Sequence, residues 1–243
     1  MKGVIKNTPI LGYFAKIIYF SLIAPLRSFP GSENYWKKRY RSGGNSGAGS
    51  YDKLSHFKAE ILNRFVNDNN IKTVIEYGCG DGNQLKLLKL PKYLGFDISS
   101  EAISLCTNIF KDDQAKTFKL LDGKTNYAAE LTLSLDVIYH LVEDDVFLSY
   151  MERLFKTSEK FVIIYSSNTD QQATLQANHV RHRMFTQWTA ERAGWKLKKH
   201  IPNKYPYNGD DEEGSFADFF IFEKSDLPAT QIPDTLAGII VNN

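Results

Sequence analysis

A chain of 243 residues, 42% hydrophobic and 24% charged, has room for one α/β domain of ordinary size with an appendage. These are globular proportions, and a formal net charge of +2 gives no argument for a nucleic-acid partner. Two cysteines, Cys79 and Cys106, with no C-x-x-C spacing, exclude a disulfide framework and suit a reduced, cytoplasmic compartment.

Residues 1–30 differ from the rest. Residues 10–26 are almost continuously apolar, broken by Lys16 and flanked by Lys2, Lys6 and Arg27. A stretch of about 18 residues is at the lower limit for spanning a bilayer. The lysine within it, and the lack of a small-x-small site after it, fit a secretory signal poorly. The expectation is a helix lying on the membrane surface, favoured by the excess of Lys and Arg through residue 60. The alternatives are a helix packed on the domain, a homodimer contact, or a true span.

Residues 33–41 predict a short helix with Tyr35, Trp36 and Tyr40 as its apolar members. A glycine-rich loop, 43–50, follows, and then a helix over 51–67 with Leu54, Phe57, Ile61, Leu62, Phe65 and Val66 in one stripe. Thr73 to Tyr77 reads as a buried strand, and Leu85, Leu87, Leu88 and Leu90 have roughly helical spacing. Further strands are expected at 93–97, 117–121, 130–134 and 160–165. Between them lie helices capped by Ser99 or Ser100 and running through Phe147, Tyr150, Met151 and Leu154. Alternation of this kind implies a doubly wound parallel sheet with helices on both faces. A helix over 185–193 precedes strands at 195–201 and 216–223. These lack a long helix between them and read as an antiparallel pair at the sheet edge.

The stretch 72–83 carries the chemistry. After its strand come Gly78, Gly80 and Gly82, in the pattern E-x-G-x-G-x-G. A dinucleotide fingerprint would need its third glycine at 83, where this chain has Asn83. The next strand ends in Asp97, where an acceptor for two ribose hydroxyls is wanted. Glu76 to Gly82 together with Asp97 resemble the cofactor site of class I S-adenosylmethionine-dependent methyltransferases. The resemblance covers roughly residues 33–224 and implies a seven-stranded sheet with S-adenosylmethionine as cofactor. It divides the chain into an apolar segment (1–30), a methyltransferase domain (31–224, with 31–52 a lid) and a tail (225–243). The implied cofactor residues are Glu76, Gly78, Cys79, Gly80, Gly82, Asn83, Asp97, Ile98, Asp122, Gly123 and Ser134, with Trp36 and Tyr51 from the lid. Cys79 reads as a small structural residue rather than a nucleophile.

Methyl transfer asks for alignment and, for a hydroxyl acceptor, a base. His140 is the first candidate, with an expected pKa near the ordinary 6.5; Asp136 and His182 are the others. Tyr139 stands where the family often carries an acid. His179, Arg181 and Arg183, with His182, form a cationic cluster suited to an anionic acceptor such as a phosphate or uronate. His179 and His182 have no accompanying carboxylate pattern, so no metal site is expected. Residues 134–137 lack the Asn/Asp-Pro-Pro-aromatic loop of nucleic-acid amine methyltransferases. The lid and the 134–143 segment resemble bacterial methyltransferases of surface-polysaccharide assembly. That implies O-methylation of a sugar, or of a phosphate on one, at the inner face of the cytoplasmic membrane. A methyltransferase for a soluble metabolite and a non-catalytic binding module are the alternatives.

Overall fold

The computed structural model describes residues 29–122, 126–173 and 176–225. The apolar stretch at 10–26, Gly123 and nearly all of the 225–243 tail lie outside the described residues.

Helix α1 (Ser32–Arg41) leads through the glycine-rich loop and a single turn, Ala48–Ser50, into α2 (Asp52–Asp68). Strands β1 (Thr73–Tyr77), β2 (Lys92–Asp97), β3 (Lys116–Leu120), β4 (Ala129–Leu135) and β5 (Ser158–Ser166) follow. Helix α3 (Ser100–Ile109) lies between β2 and β3, and α4 (Asp144–Lys156) between β4 and β5. The short α5 (Phe185–Ala190) precedes β6 (Trp195–Ile201) and β7 (Asp218–Lys224).

The strands form one seven-stranded sheet of order β3-β2-β1-β4-β5-β7-β6. β1 to β5 pair in parallel, while β7 is antiparallel to both β5 and β6. The expected antiparallel ending is therefore present, with β7 inserted inside the edge strand β6.

Period-two alternation sorts the strand residues into two cores. Phe161, Ile163 and Tyr165 face α2 with Leu131, Leu133, Phe219 and Ile221. Val162 and Ile164 face α4 and α5 with Ile75, Tyr77, Phe220 and Phe222. Both faces are covered, so the central strands read as continuous apolar runs. Ser99 caps α3 as expected, its hydroxyl accepting from the Ala102 N–H at 3.3 Å.

The helix expected over the leucines after the glycine turn does not form. Only one turn, Gln84–Leu87, is present, and the chain is extended again at Leu88. The reason is length. β2 starts level with β1, with Lys92 opposite Thr73. The chain must therefore run back along a strand of about 16 Å. Seven helical residues would cover only about 10 Å. Leu85, Leu88 and Leu90 are buried regardless, against α2. No helix terminus stands behind the glycine turn, and its own N–H groups are what it offers a ligand.

Ser134, expected at the cofactor, instead ties α4 to the sheet. The Tyr150 hydroxyl donates to the Tyr77 carbonyl at 2.9 Å and lies 2.7 Å from the Ser134 hydroxyl, whose proton it accepts. Tyr150→Phe leaves both partners unsatisfied in the core and should cost about 1–3 kcal/mol. A lowered urea midpoint at unchanged slope is the expected result.

Candidate active site

Strand order reverses between β1 and β4, and a crevice opens at their carboxyl ends, as doubly wound sheets require. A cavity of about 320 Å3 occupies it. Its walls include Glu76, Gly78, Cys79, Gly80, Asp97 and Ile98 from the β1–β2 side, and Asp136 and His140 after β4. Trp36, Tyr40, Ser46 and Ser50 close it from the lid.

The lid is bolted at both ends. At the start of α1, the Ser32 N–H and hydroxyl donate to the two Glu143 carboxylate oxygens at 2.9 and 2.6 Å, and the same hydroxyl accepts from the Val142 N–H at 2.9 Å. At the other end, Asp81 accepts from the Ser46 N–H at 2.9 Å and from the Tyr51 hydroxyl at 2.8 Å. The Asp81 N–H in turn donates to the Ser46 hydroxyl at 3.0 Å. Asn83 donates to the Ser50 carbonyl at 2.8 Å. Asn83 and Tyr51 thus hold the lid rather than line the cavity. A Cβ at Gly80, which has φ +59°, would overlap the Ser46 hydroxyl, and one at Gly78 would lie 2.5 Å from Val137 Cγ2. Gly82 packs away from the cavity, against Cys106 and Phe110.

Two carboxyl groups are buried in the wall. Burial raises Glu76 to about 7, although the Tyr93 hydroxyl donates to it at 2.5 Å. Burial raises Asp97 to about 6, against the pull of the Ser99 and Gly80 N–H groups at 2.9 and 3.0 Å. Asp136 has φ +60°, lines the cavity, and pairs with the fully buried ammonium of Lys58. The Tyr139 hydroxyl donates to its other oxygen at 2.8 Å. Both Asp136 oxygens are therefore engaged, one of them by a cation.

His140 departs from expectation in its acidity. Burial drives its pKa down to about 3, against the opposing pull of the hydrogen bond to the His179 backbone. Its Nδ1 lies 2.9 Å from the His179 carbonyl. A carbonyl oxygen only accepts, so Nδ1 carries the proton and Nε2 keeps its lone pair. The ring sits edge-on to Trp36 at 4.8 Å and to Tyr139 at 4.5 Å.

The cationic cluster does not face this cavity. Arg183, 8% exposed, donates to the Leu141 and Val142 carbonyls and pairs with Asp144 at 3.0 Å. Arg181 donates to the Val142 carbonyl at 2.9 Å and pairs with the same Asp144. Both arginines pin the loop after β4. His179 stacks on Tyr35 at 4.4 Å, and His182 meets Ser167 at 2.7 Å on the far side of Tyr139. Asp122 is exposed, one residue beyond Leu121, which lines the cavity.

Four contributors escaped the sequence reading. Asp81 lay inside the glycine motif, and its 3.0 Å contact with the Asn83 N–H is an ordinary Asx turn that spacing suggests. Ser46, Lys58 and Gln84 carry no local pattern. The Gln84 Oε1 is buried without a partner and its side chain lines the cavity.

Two outcomes follow. Asp81→Ala should open the loop at 43–51, with amide exchange there faster by about tenfold or more, as loss of about 1.4 kcal/mol of closure requires. Asp97 binds its proton more tightly folded (about 6) than unfolded (ordinary value 3.8), so its contribution to stability is present at pH 4 and lost as pH rises through 6. Asp97→Asn should flatten that fall in urea titrations of the ligand-free protein between pH 4 and 6.

Residues 68–209, more than half of the chain, match the family described as Methyltransferase domain. No protein of curated function matches. Among solved structures, the N-methyltransferase NodS from Bradyrhizobium japonicum WM9, in complex with S-adenosyl-L-homocysteine, superposes with a TM-score of 0.60 at 14% identity, covering 80% of this chain and 98% of that one. Magnesium protoporphyrin IX methyltransferase (ChlM) from Synechocystis PCC 6803, with bound SAM, gives 0.54 at 14% identity, covering 88% and 96%. The methyltransferase domain of bacterial CtHen1 gives 0.55 at 20% identity, covering 71% and 99%. At these identities the likeness carries the fold alone, while the match over 68–209 carries the family: the chain belongs to the methyltransferase-domain family.

Proposed function

We propose that this protein is an S-adenosylmethionine-dependent O-methyltransferase whose acceptor is a sugar hydroxyl. The observation that carries the reaction class is His140, whose Nδ1 is committed to a carbonyl and whose Nε2 is a free base in the wall of the cavity that holds the glycine turn and Asp97.

The cavity suits this cofactor. Its volume of about 320 Å3 takes one ligand of that size, and the glycine turn leaves no Cβ in the way. Asp97 would accept from the ribose hydroxyls, and the orphan Gln84 oxygen would accept from the amino group. Ile98 and Leu121 would flank the adenine. When bound, S-adenosylmethionine supplies a methyl group made electrophilic by its sulfonium. The protein contributes alignment and a proton acceptor. A hydroxyl becomes strongly acidic as its oxygen takes on a methyl group, so a base of low pKa is sufficient for His140 Nε2 to receive the proton. The Lys58–Asp136 pair fixes the floor beneath it.

The sugar rests on the resemblance to surface-polysaccharide methyltransferases and on Arg181 and Arg183, which are spent on Asp144 and the loop after β4 instead of forming the anion site their spacing suggested. Among the described residues no helix is long and apolar enough to cross a membrane. The apolar 10–26 stretch and its basic flanks support contact with the inner membrane surface. The domain division at about residue 30 belongs to the same proposal.

Three measurements test it. Calorimetry should show binding of S-adenosylmethionine and none of NADH, with Asp97→Ala weakening the former by about 2–3 kcal/mol. His140→Ala should lower kcat by about a hundredfold or more with cofactor affinity unchanged, and the wild-type rate should show no histidine inflection between pH 6 and 7, because His140 is already neutral there. Labelled methyl from the donor should enter a saccharide-containing fraction of lysate; label recovered solely in RNA or in a metabolite without a sugar would overturn the acceptor class.

A further inference from the structure

A second, more open cavity of about 610 Å3 has a lining of distinct chemistry. It lies beyond the carboxyl end of β5, between Ser167–Ala173, His182 and the β6–β7 residues His200, Phe216, Asp218 and Phe220. Tyr139 separates it from the first cavity. On one side that ring meets His140 at 4.5 Å, and on the other it meets Phe216 at 4.9 Å and His182 at 6.5 Å.

We propose that this second cavity is a binding subsite for a neutral, hydroxyl-rich unit of the acceptor, of pyranose size. The inference rests on the methyltransferase reading above and names where the rest of the acceptor sits.

Space is the first argument. The first cavity has room for one cofactor-sized ligand, so an acceptor larger than its reacting group needs a second volume beside it. The lining chemistry is the second. Among the described residues it contains no Lys or Arg, and its carboxylate there, Asp218, is held by His200 at 2.8 Å and by the Asn203 N–H at 2.8 Å. What remains is amide, hydroxyl and imidazole, with the rings of Phe216 and Phe220 as an apolar face for C–H groups. A phosphodiester chain would find no counter-charge here.

Preorganisation is the third argument. Gln172 exchanges hydrogen bonds with the His182 backbone in both directions, at 2.8 and 3.0 Å. Asn168 does the same with Thr186, and the Ser167 hydroxyl fixes the His182 ring at 2.7 Å. Held groups lose little entropy on binding a ligand. The Gln171 side-chain amide and His182 Nε2 stay available for hydroxyl groups. The neutral lining also replaces the anion site that the cluster 179–183 suggested, because Arg181 and Arg183 are spent on the loop after β4.

The test is saturation-transfer NMR on the full chain with S-adenosylhomocysteine bound, using the methyl glycosides of glucose, galactose, mannose and rhamnose. Glucuronate and a short oligoribonucleotide serve as anionic probes. Saturation should reach at least one neutral glycoside, and the Gln171→Ala and Phe216→Ala variants should each weaken that binding by about fivefold or more. Gln171 is exposed, so its variant keeps the test valid if Phe216→Ala fails to fold. No saturation of any neutral glycoside, equal binding by the Gln171→Ala variant, or binding of the anionic probes alone would overturn the proposal. Calorimetry with S-adenosylhomocysteine on the same samples separates this outcome from a failure of the methyltransferase reading, which would show as no binding of that cofactor product.

Discussion

The turn after β1 is squeezed between two other pieces of chain, and the rest of the site depends on that close approach. Val137, after β4, presses on Gly78 from one side, and Ser46 of the lid presses on Gly80 from the other. Neither contact tolerates a Cβ. The same turn carries Asp81, whose carboxylate grips the lid, and its Gly80 N–H holds Asp97. One seven-residue stretch thereby sets the cavity wall, the position of the 43–51 loop and the approach of the β4 loop together. Geometry achieves this without help from a helix terminus, since only a single turn follows.

Charge in the site is arranged by burial. Glu76 and Asp97 are carboxyl groups made reluctant to ionise because the wall excludes water. Lys58 and Asp136 form an ion pair in the same wall, and Tyr139 holds the pair in place. The histidines respond in the opposite sense. Burial keeps His140 and His179 neutral, so both act as aromatic rings and hydrogen-bonding groups rather than as cations. His140 meets Trp36 and Tyr139 edge-on and stacks with His179, which in turn stacks on Tyr35, so the two neutral rings join α1 to the β4 loop.

That loop is the second organising element. Its carbonyls at Leu141 and Val142 accept from Arg181 and Arg183, its Glu143 receives the start of α1, and its Asp144 bridges to both arginines. Residues from three distant parts of the chain meet there. The arginines gain more from satisfying backbone carbonyls and a carboxylate at once than a solvated surface would give them. Their commitment leaves the neighbouring cavity neutral.

The fold was legible in the sequence because it follows from short-range pattern. Period-two alternation, the helical stripe of α2, the Ser99 cap and the lack of a helix before β7 are all local, and each appears where its residues place it. The glycine spacing and Asp97 likewise announce a cofactor crevice, since a close backbone approach requires glycine wherever it occurs. What the sequence could not decide are distances between residues far apart in the chain. The leucines after the turn have helical spacing, yet the length of β1 forbids the helix. Lys58 and Asp136 are 78 positions apart, and nothing local in either says that they pair. His140 has an ordinary local context, and only the packing of Trp36, Tyr139 and His179 around it makes it a weak base. Arg181 and Arg183 look like an anion site until the β4 loop comes within reach of their guanidinium groups. Local pattern determined the elements and the location of the crevice; burial and long-range pairing, which exist only once the chain has folded, raised the acids Glu76 and Asp97 and lowered His140 within it.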